Sequence, residues 1–337
     1  MAVRAGVVHN VDRGRRVEIG YALSSEEGQP QDLVKAAQMA EAIGFPFALI
    51  SDHFHPWTDA QGSSPFVWAV LGAIATTTRR MRVGTGVTCP IMRIHPAIVA
   101  QASATIACMM PGRFFLGVGS GESLNEHITG QAWPPPDMRQ DMLEEAVGVL
   151  RELHEGGEKS HYGKFFQVRD ARIYNLPEEP LPIYLAAAGE EAAKLAARIG
   201  DGLICTTPAA ESAKAFDGAG GEDKPRIGQL TVCWARSEDE AVRTAHRVWP
   251  NGGLDGQFKN ELPRPLYIEQ ASKPVTAEMI KKEIVCGPDA SRHLEGIAQF
   301  VKAGFDHVYV HQVGPDQEGF MRFYEREVFP EVDSLAA

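Results

Sequence analysis

Long hydrophobic runs are missing from this 337-residue chain. No apolar stretch approaches the length that would cross a bilayer. The first sixteen residues carry arginines but no apolar core, so they are read as a loose extension and not a secretory signal. Cys-x-x-Cys pairs are also missing: Cys89, Cys108, Cys205, Cys233 and Cys286 are scattered, mostly in apolar segments. They are expected to be reduced core residues of a cytoplasmic protein, with no metal site among them. An excess of positive charge is absent too. The net charge of −11 argues against nucleic acid and anionic membranes as partners, while leaving room for a small anionic ligand held locally. Finally, the first strand–helix turn lacks G-x-G-x-x-G, which counts against an open, doubly wound dinucleotide fold.

What is present is an apolar fraction of 44%, enough for a sizeable core, and a steady strand–helix alternation. Strands are expected at 17–21, 47–51, 81–87, 113–118, 182–187, 202–205, 228–234 and 306–311. Most are apolar without alternation, as strands buried on both faces are. Helices fill the intervals, one of them over 137–153 with Asp137 as a possible N-cap. The pattern predicts an α/β fold, a (β/α)8 TIM barrel with insertions, in a single domain over 17–330. A polar hairpin-like insertion is placed at about 154–180 and an irregular one at 249–275. Residues 1–16 are the extension and 331–337 a C-terminal tail.

A barrel puts its chemistry at the C-terminal strand ends. Phe47-Ala48-Leu49-Ile50-Ser51 is an apolar strand that opens into Asp52-His53-Phe54-His55-Pro56-Trp57. A histidine beside a carboxylate can move protons near neutral pH, and an indole can wall a flat ligand. Gly84-Thr85-Gly86-Val87 ends the third strand with two glycines, a pattern of close backbone approach. In Gly117-Val118-Gly119-Ser120-Gly121-Glu122 the third glycine comes too early for a dinucleotide loop, and no helix is expected directly after it. Glu122 would share the barrel mouth with His53, giving a minimal acid/base pair, and Asn125, Glu126 and His127 follow closely. Ala187-Ala188-Gly189 leads into a helix N-terminus suited to phosphate. Arg93, His95, Arg139 and Lys194 are candidate cations for an anionic ligand. Taken singly, each of these segments also reads as an ordinary strand end, loop or surface residue.

Together, the segments 51–57, 84–87, 115–126 and Gly200-Asp201-Gly202-Leu203-Ile204-Cys205-Thr206 resemble the luciferase-like superfamily of flavin and deazaflavin barrels. Within it the chain is similar to the coenzyme F420-dependent glucose-6-phosphate dehydrogenase family, from about residue 17 to 330. The resemblance implies a homodimeric oxidoreductase that passes a hydride from a hydroxyl-bearing carbon to C5 of F420. It implies His53 as general base on the substrate hydroxyl, Trp57 as the residue steadying the substrate, and Glu122 as the ring-side acid. Asp52 and Asn125 match cofactor-contacting positions. Gly86-Val87 matches a non-proline cis peptide behind the ring, and Ala187, Ala188 and Gly189 match the backbone at the cofactor phosphate. Glu26 and Lys282 are taken as substrate-binding.

The phosphate clamp departs from the family pattern of two lysines and an arginine. Pro208-Ala209-Ala210-Glu211 brings no lysine until Lys214, Ala271 stands where a lysine is expected, and Lys282 replaces the arginine. Unless Lys259, Arg264 or Lys273 reaches in from the insertion, a neutral alcohol or sugar hydroxyl is at least as good a candidate as a sugar phosphate. The competing readings are an FMN-dependent monooxygenase and a non-catalytic flavin-binding barrel.

Overall fold

The computed structural model describes residues 17–256 and 258–336; the extension read at 1–16 lies outside the described residues. In chain order the elements are β1 (Glu18–Leu23), α1 (Pro30–Ile43), β2 (Phe47–Ile50), α2 (Val67–Thr77), β3 (Arg82–Thr85), α3 (Pro96–Met109), β4 (Phe114–Val118), α4 (Ser123–Glu126) and α5 (Pro136–His154). Then come β5 (Lys159–Tyr162), β6 (Gln167–Ala171), β7 (Ile183–Ala186), α6 (Glu190–Ile199), β8 (Gly202–Cys205), α7 (Ala210–Phe216), β9 (Arg226–Cys233) and α8 (Glu238–Val248). The chain ends with α9 (Pro265–Ser272), α10 (Ala277–Glu283), β10 (Val285–Cys286), α11 (Ala290–Lys302), β11 (His307–Gln312) and α12 (Gln317–Phe323).

Strands β1, β2, β3, β4, β7, β8, β9 and β11 pair in parallel in that order, and β11 returns to β1 to close a (β/α)8 TIM barrel. The two-residue β10 lengthens the sheet beside β9. The apolar strands are explained by this closure. Ala22, Phe47, Leu49, Phe115, Ile204, Ile227 and Tyr309 fill the barrel interior, while Leu23, Ala48, Ile50, Leu116, Leu203, Val308 and Val310 pack outward in the core shared with the helices. Every strand is therefore wanted on both faces, which removes the polar alternation of a half-exposed sheet. No described helix is long and apolar enough to cross a membrane.

The hairpin β5–β6 forms where expected and is antiparallel. Other details differ from the reading of the sequence. The insertion at 249–275 is not irregular throughout: Pro265 opens α9, and 3-10 turns form at Pro250–Gly253 and Phe258–Glu261. A short helix, α4, does begin directly after Glu122, which is its N-cap residue. Asp137 lies in the first turn of α5, whose N-cap is Pro135. Cys108 is exposed, whereas the other four cysteines are buried and all five are free. The chain after residue 330 continues as a 3-10 turn to Ala336, with Val332 buried.

At the floor of the mouth, β3 and β4 approach so closely that a Cβ on Gly117 would lie 2.0 Å from the backbone oxygen of Thr85. Gly117→Ala is expected to destabilise the protein by about 1–3 kcal/mol through overpacking. Gly189 has extended backbone (φ −170) and borders open space, so a methyl added there would meet nothing within 4 Å. Gly189→Ala is expected to stay within about 0.5 kcal/mol of the parent. Urea unfolding of the two variants beside the parent checks both expectations.

Candidate active site

The site is assembled from the loops after β1, β2, β3 and β4. The apolar β2 ends at Ile50, and Ser51 to Trp57 then fold over the mouth. The Asn125 side chain holds this loop: its Oδ1 accepts from the backbone N–H of Phe54 at 2.9 Å and of His55 at 3.2 Å. Its Nδ2 donates to Glu122 Oε2 at 3.2 Å. One amide thus ties the histidine loop to α4. Farther along, Gln61 Oε1 accepts from Trp57 N at 2.8 Å and anchors the indole.

His53 lies between two carboxylates. Its Nε2 is 3.5 Å from Glu26 Oε1 and 3.5 Å from Glu122 Oε2. Its Nδ1 is 3.2 Å from the His55 carbonyl oxygen, an acceptor that fixes a proton on that nitrogen and turns Nε2 toward the glutamates. The Trp57 ring stands 5.3 Å from the imidazole, centroid to centroid. Burial opposes a charge on His53, but the Glu26 and Glu122 carboxylates outweigh it and raise the histidine above its ordinary value.

The two glutamates move in opposite directions. Burial would raise Glu26, yet His53, the Ser51 hydroxyl, its own backbone N–H and His311 together hold it below the usual range. Glu26 Oε2 accepts from the hydroxyls of both Ser24 and Ser51. Glu122 is raised, first by burial and then by Glu26, against the pull of His53, Lys259 and Asn125. Its side chain remains 26% exposed, so solvent at the mouth tempers the effect. A carboxylate that stays ionised and one that holds a proton more readily flank the same imidazole.

The remaining sequence candidates fall into three groups. Asp52 is buried behind His53, and its oxygens accept from Thr88 Oγ1 at 2.7 Å and Arg93 Nη2 at 2.8 Å. The Gly86–Val87 peptide is cis. Val87 backs onto Gly119, where an added Cβ would come within 2.8 Å of it. Gly121 adopts φ +76, and a Cβ there would meet Cys89 Sγ at 2.5 Å. Ala187 is buried, and Ala188 is exposed beside Gly189 at the start of α6, whose N-terminus has no side-chain cap.

The four proposed anion-binding cations are spent elsewhere. Arg93 pairs with Asp52 and Glu126, Arg139 with Glu261 and Lys194 with Glu191, while His95 caps α3. Lys282 is exposed on α10, and no hydrogen bond or ion pair joins it to the described site residues. Lys259, on the 258–261 turn, is the insertion cation that the site feels. Burial lowers it, while Glu122, then Asp255 and Glu283, act to raise it. Reading the sequence missed His311, the last inward position of β11, whose Nε2 is 3.6 Å from Glu27 Oε2 and whose ring meets Trp249 edge-on at 4.6 Å. Its place at a strand end was the only available signal.

Flat surfaces and an uncapped helix end suit a cofactor with a planar ring and a phosphate. The Val87 side chain, packed against the Gly119 backbone, offers a wall for the ring. The uncapped N–H groups of α6, with open space at Gly189, fit a phosphate. The residues present therefore fit F420.

Residues 16–307 match the luciferase-like monooxygenase family. The chain is 35% identical over 334 residues to an F420-dependent glucose-6-phosphate dehydrogenase of Mycolicibacterium smegmatis, covering 95% of this chain and 99% of that one. It is 34% identical over 333 residues to the protein of the same description from Mycobacterium tuberculosis, with the same coverage of 95% and 99%. A solved F420-dependent secondary alcohol dehydrogenase, in complex with an F420-acetone adduct, superposes with a TM-score of 0.87 at 32% identity over 94% of this chain and 99% of that one. The chain belongs to the luciferase-like monooxygenase family and, within it, to the F420-dependent dehydrogenase family of these relatives.

Because both glutamates hold His53 up, neutralising either should let it fall toward the ordinary histidine value. Glu26→Gln is expected to lower its titration midpoint more than Glu122→Gln. The 13C-histidine Cε1 resonance of His53, followed against pH and assigned with His53→Asn, checks the direction and the order.

Proposed function

We propose that this chain is an F420-dependent dehydrogenase that oxidises a CH–OH group of a small alcohol or sugar. The observation that carries this reading is His53 Nε2, placed 3.5 Å from both Glu26 and Glu122. Those separations are longer than ordinary direct hydrogen bonds, so Nε2 is not tied to either carboxylate and can accept from a substrate hydroxyl that approaches beside them. When bound, F420 supplies the two-electron acceptor, taking a hydride at C5.

The chain's own residues handle the proton and the geometry. Nε2 of His53 takes the hydroxyl proton as the carbon gives up its hydride. The resulting imidazolium is stabilised by Glu26, which stays ionised. Glu122, the carboxyl with the raised affinity for a proton, serves as acid on the ring side. Trp57 closes the substrate side and excludes water. Ala187, Ala188, Gly189 and the start of α6 hold the phosphate, with Gly86 and Val87 behind the ring. Asp52 and Asn125, matched to cofactor-contacting positions, keep the histidine loop and Glu122 in place. Glu26 also contacts the substrate hydroxyl. We further propose that the protein works as a cytoplasmic homodimer.

For the substrate, the reading favours a neutral alcohol or free sugar over glucose 6-phosphate. Phosphate recognition by this family's pattern needs three cations. Here Pro208-Ala209-Ala210-Glu211 brings no lysine until Lys214, Ala271 occupies the second place, and Lys282, at the third, is a point charge without the guanidinium fork.

F420 absorbance under anaerobic conditions tests the proposal directly. Isopropanol or free glucose should bleach the cofactor, and glucose 6-phosphate should do so poorly. His53→Asn should reduce bleaching by about 10²–10⁴-fold. Cofactor that binds yet stays oxidised across a broad panel of alcohols, sugars and sugar phosphates would sink the reading. Preferential bleaching with glucose 6-phosphate would overturn the substrate preference alone.

A further inference from the structure

We propose that Arg93 is a positioning residue of this site, a buried fork that locks the loop carrying His53 to the helix that follows Glu122 and so sets the separation of the two reacting side chains. The inference rests on the roles given to His53 and Glu122 above.

Arg93 lies between β3 and α3, with its side chain only 6% exposed. Its Nη2 donates to Asp52 Oδ1 at 2.8 Å and to the Asp52 backbone oxygen at 3.2 Å. Its backbone N–H donates to Glu126 Oε2 at 2.8 Å, and its Nε is 3.5 Å from Glu126 Oε1. The partners are as deeply buried: the side chains of Asp52 and Glu126 are 0% and 1% exposed. Thr88 Oγ1 closes the far side of Asp52 at 2.7 Å.

The two anchors sit beside the reacting groups. Asp52 immediately precedes His53. Glu126 lies one helical turn from Glu122, and its N–H donates to the Glu122 carbonyl at 3.2 Å. The loops after β2, β3 and β4 therefore meet on one guanidinium. No solvent is available to replace a lost contact there, so the charges hold the loops wherever the fork holds the charges. A lysine keeps the charge but cannot span both carboxylates. The sequence suggests an anionic ligand for Arg93; its donors are instead committed to Asp52 and Glu126.

The charged and titratable groups that face Arg93 are Asp52, Glu126 and Cys89. Those that face His53 are Glu26, Glu122 and, as a like charge, Arg93, along with the His55 carbonyl. Arg93→Lys keeps a like charge near His53, and loss of that repulsion would raise the histidine, so a fall in its midpoint is not lost repulsion. Glu126→Asp keeps the charge of the second anchor, shortens its reach to Arg93 and leaves Asp52 untouched.

The test is the His53 13C titration in protein without added cofactor, paired with kcat and KM for F420 bleaching across pH. In both variants the His53 midpoint should fall. The acid limb of kcat/KM should move to lower pH, because the basic imidazole then persists farther down. kcat/KM should drop by about 10–100-fold, mostly in kcat, as misplaced groups typically cause. An unchanged His53 midpoint in folded variants overturns the proposal, even if their Tm falls, since a scaffold role alone would do that. If Arg93→Lys does not fold, Glu126→Asp decides. If the wild-type protein bleaches F420 with no substrate, the dehydrogenase reading fails while the titration still decides the role of Arg93.

Discussion

A charge taken out of water must find a partner within a few ångströms, or the fold loses several kcal/mol for each orphan. At the mouth of this barrel that requirement falls on Glu26, His53 and Glu122, which share one small space. None of them is satisfied separately. Glu26 takes two serine hydroxyls and faces His53. His53 is held by the His55 carbonyl and by both glutamates. Glu122 leans on His53 and on Asn125. Their proton affinities belong to the group, as expected for sites this close. The opposite shifts of the two carboxyls come from unequal surroundings. Glu26 has more donors and less water, whereas Glu122 sits at the rim with fewer donors and a second carboxylate in view.

Such a cluster works only if the loops that bear it do not drift. βα loops are ordinarily the mobile part of a barrel. Here polar side chains bind them to one another. Asn125 joins the β2 loop to α4, Gln61 joins Trp57 to the Val248 carbonyl at the end of α8, and Glu261 ties the 258–261 turn to Trp133 and Arg139. These bonds join loops and helices that arrive from different strands. The barrel supplies the common floor, and the lateral ties keep the distances between side chains that arrive from different strands.

Much of this was legible in the sequence, and the reason is physical. Strands buried on both faces must be apolar throughout, so all eight barrel strands stood out as short apolar runs between amphipathic helices. Strand ends then located Asp52, His53, Glu122 and Ala187 to Gly189 without any coordinates. What the sequence hid were interactions between elements. Nothing local shows that Arg93 is buried between two carboxylates, because an arginine in a loop looks solvated until its neighbours are known. The helix α4 was missed because four residues after a glycine-rich turn carry no periodicity, and α9 because three nearby prolines, Pro263, Pro265 and Pro274, read as breakers although Pro265 is a helix opener. His311 was invisible for a related reason: its contacts are with Glu27 and Trp249, both distant from it in sequence.

Charge also bears on specificity. A phosphate dianion entering this mouth would meet two carboxyl groups, Glu26 and Glu122, with His53 between them. The described arginines Arg93 and Arg139 are each committed to carboxylates. Lys259 is the cation that acts on Glu122, and it is answered in turn by Glu122, Asp255 and Glu283. To hold a dianion, Lys259 would have to leave acidic neighbours that are themselves partly desolvated, trading one pairing for another with little net gain. A neutral alcohol makes no such demand. Under the proposed function it needs one acceptor for its proton and one apolar wall for its carbon chain, the parts given above to His53 and Trp57. On that reading, the pairing of the buried charges supports an uncharged substrate alongside the loss of the clamp residues.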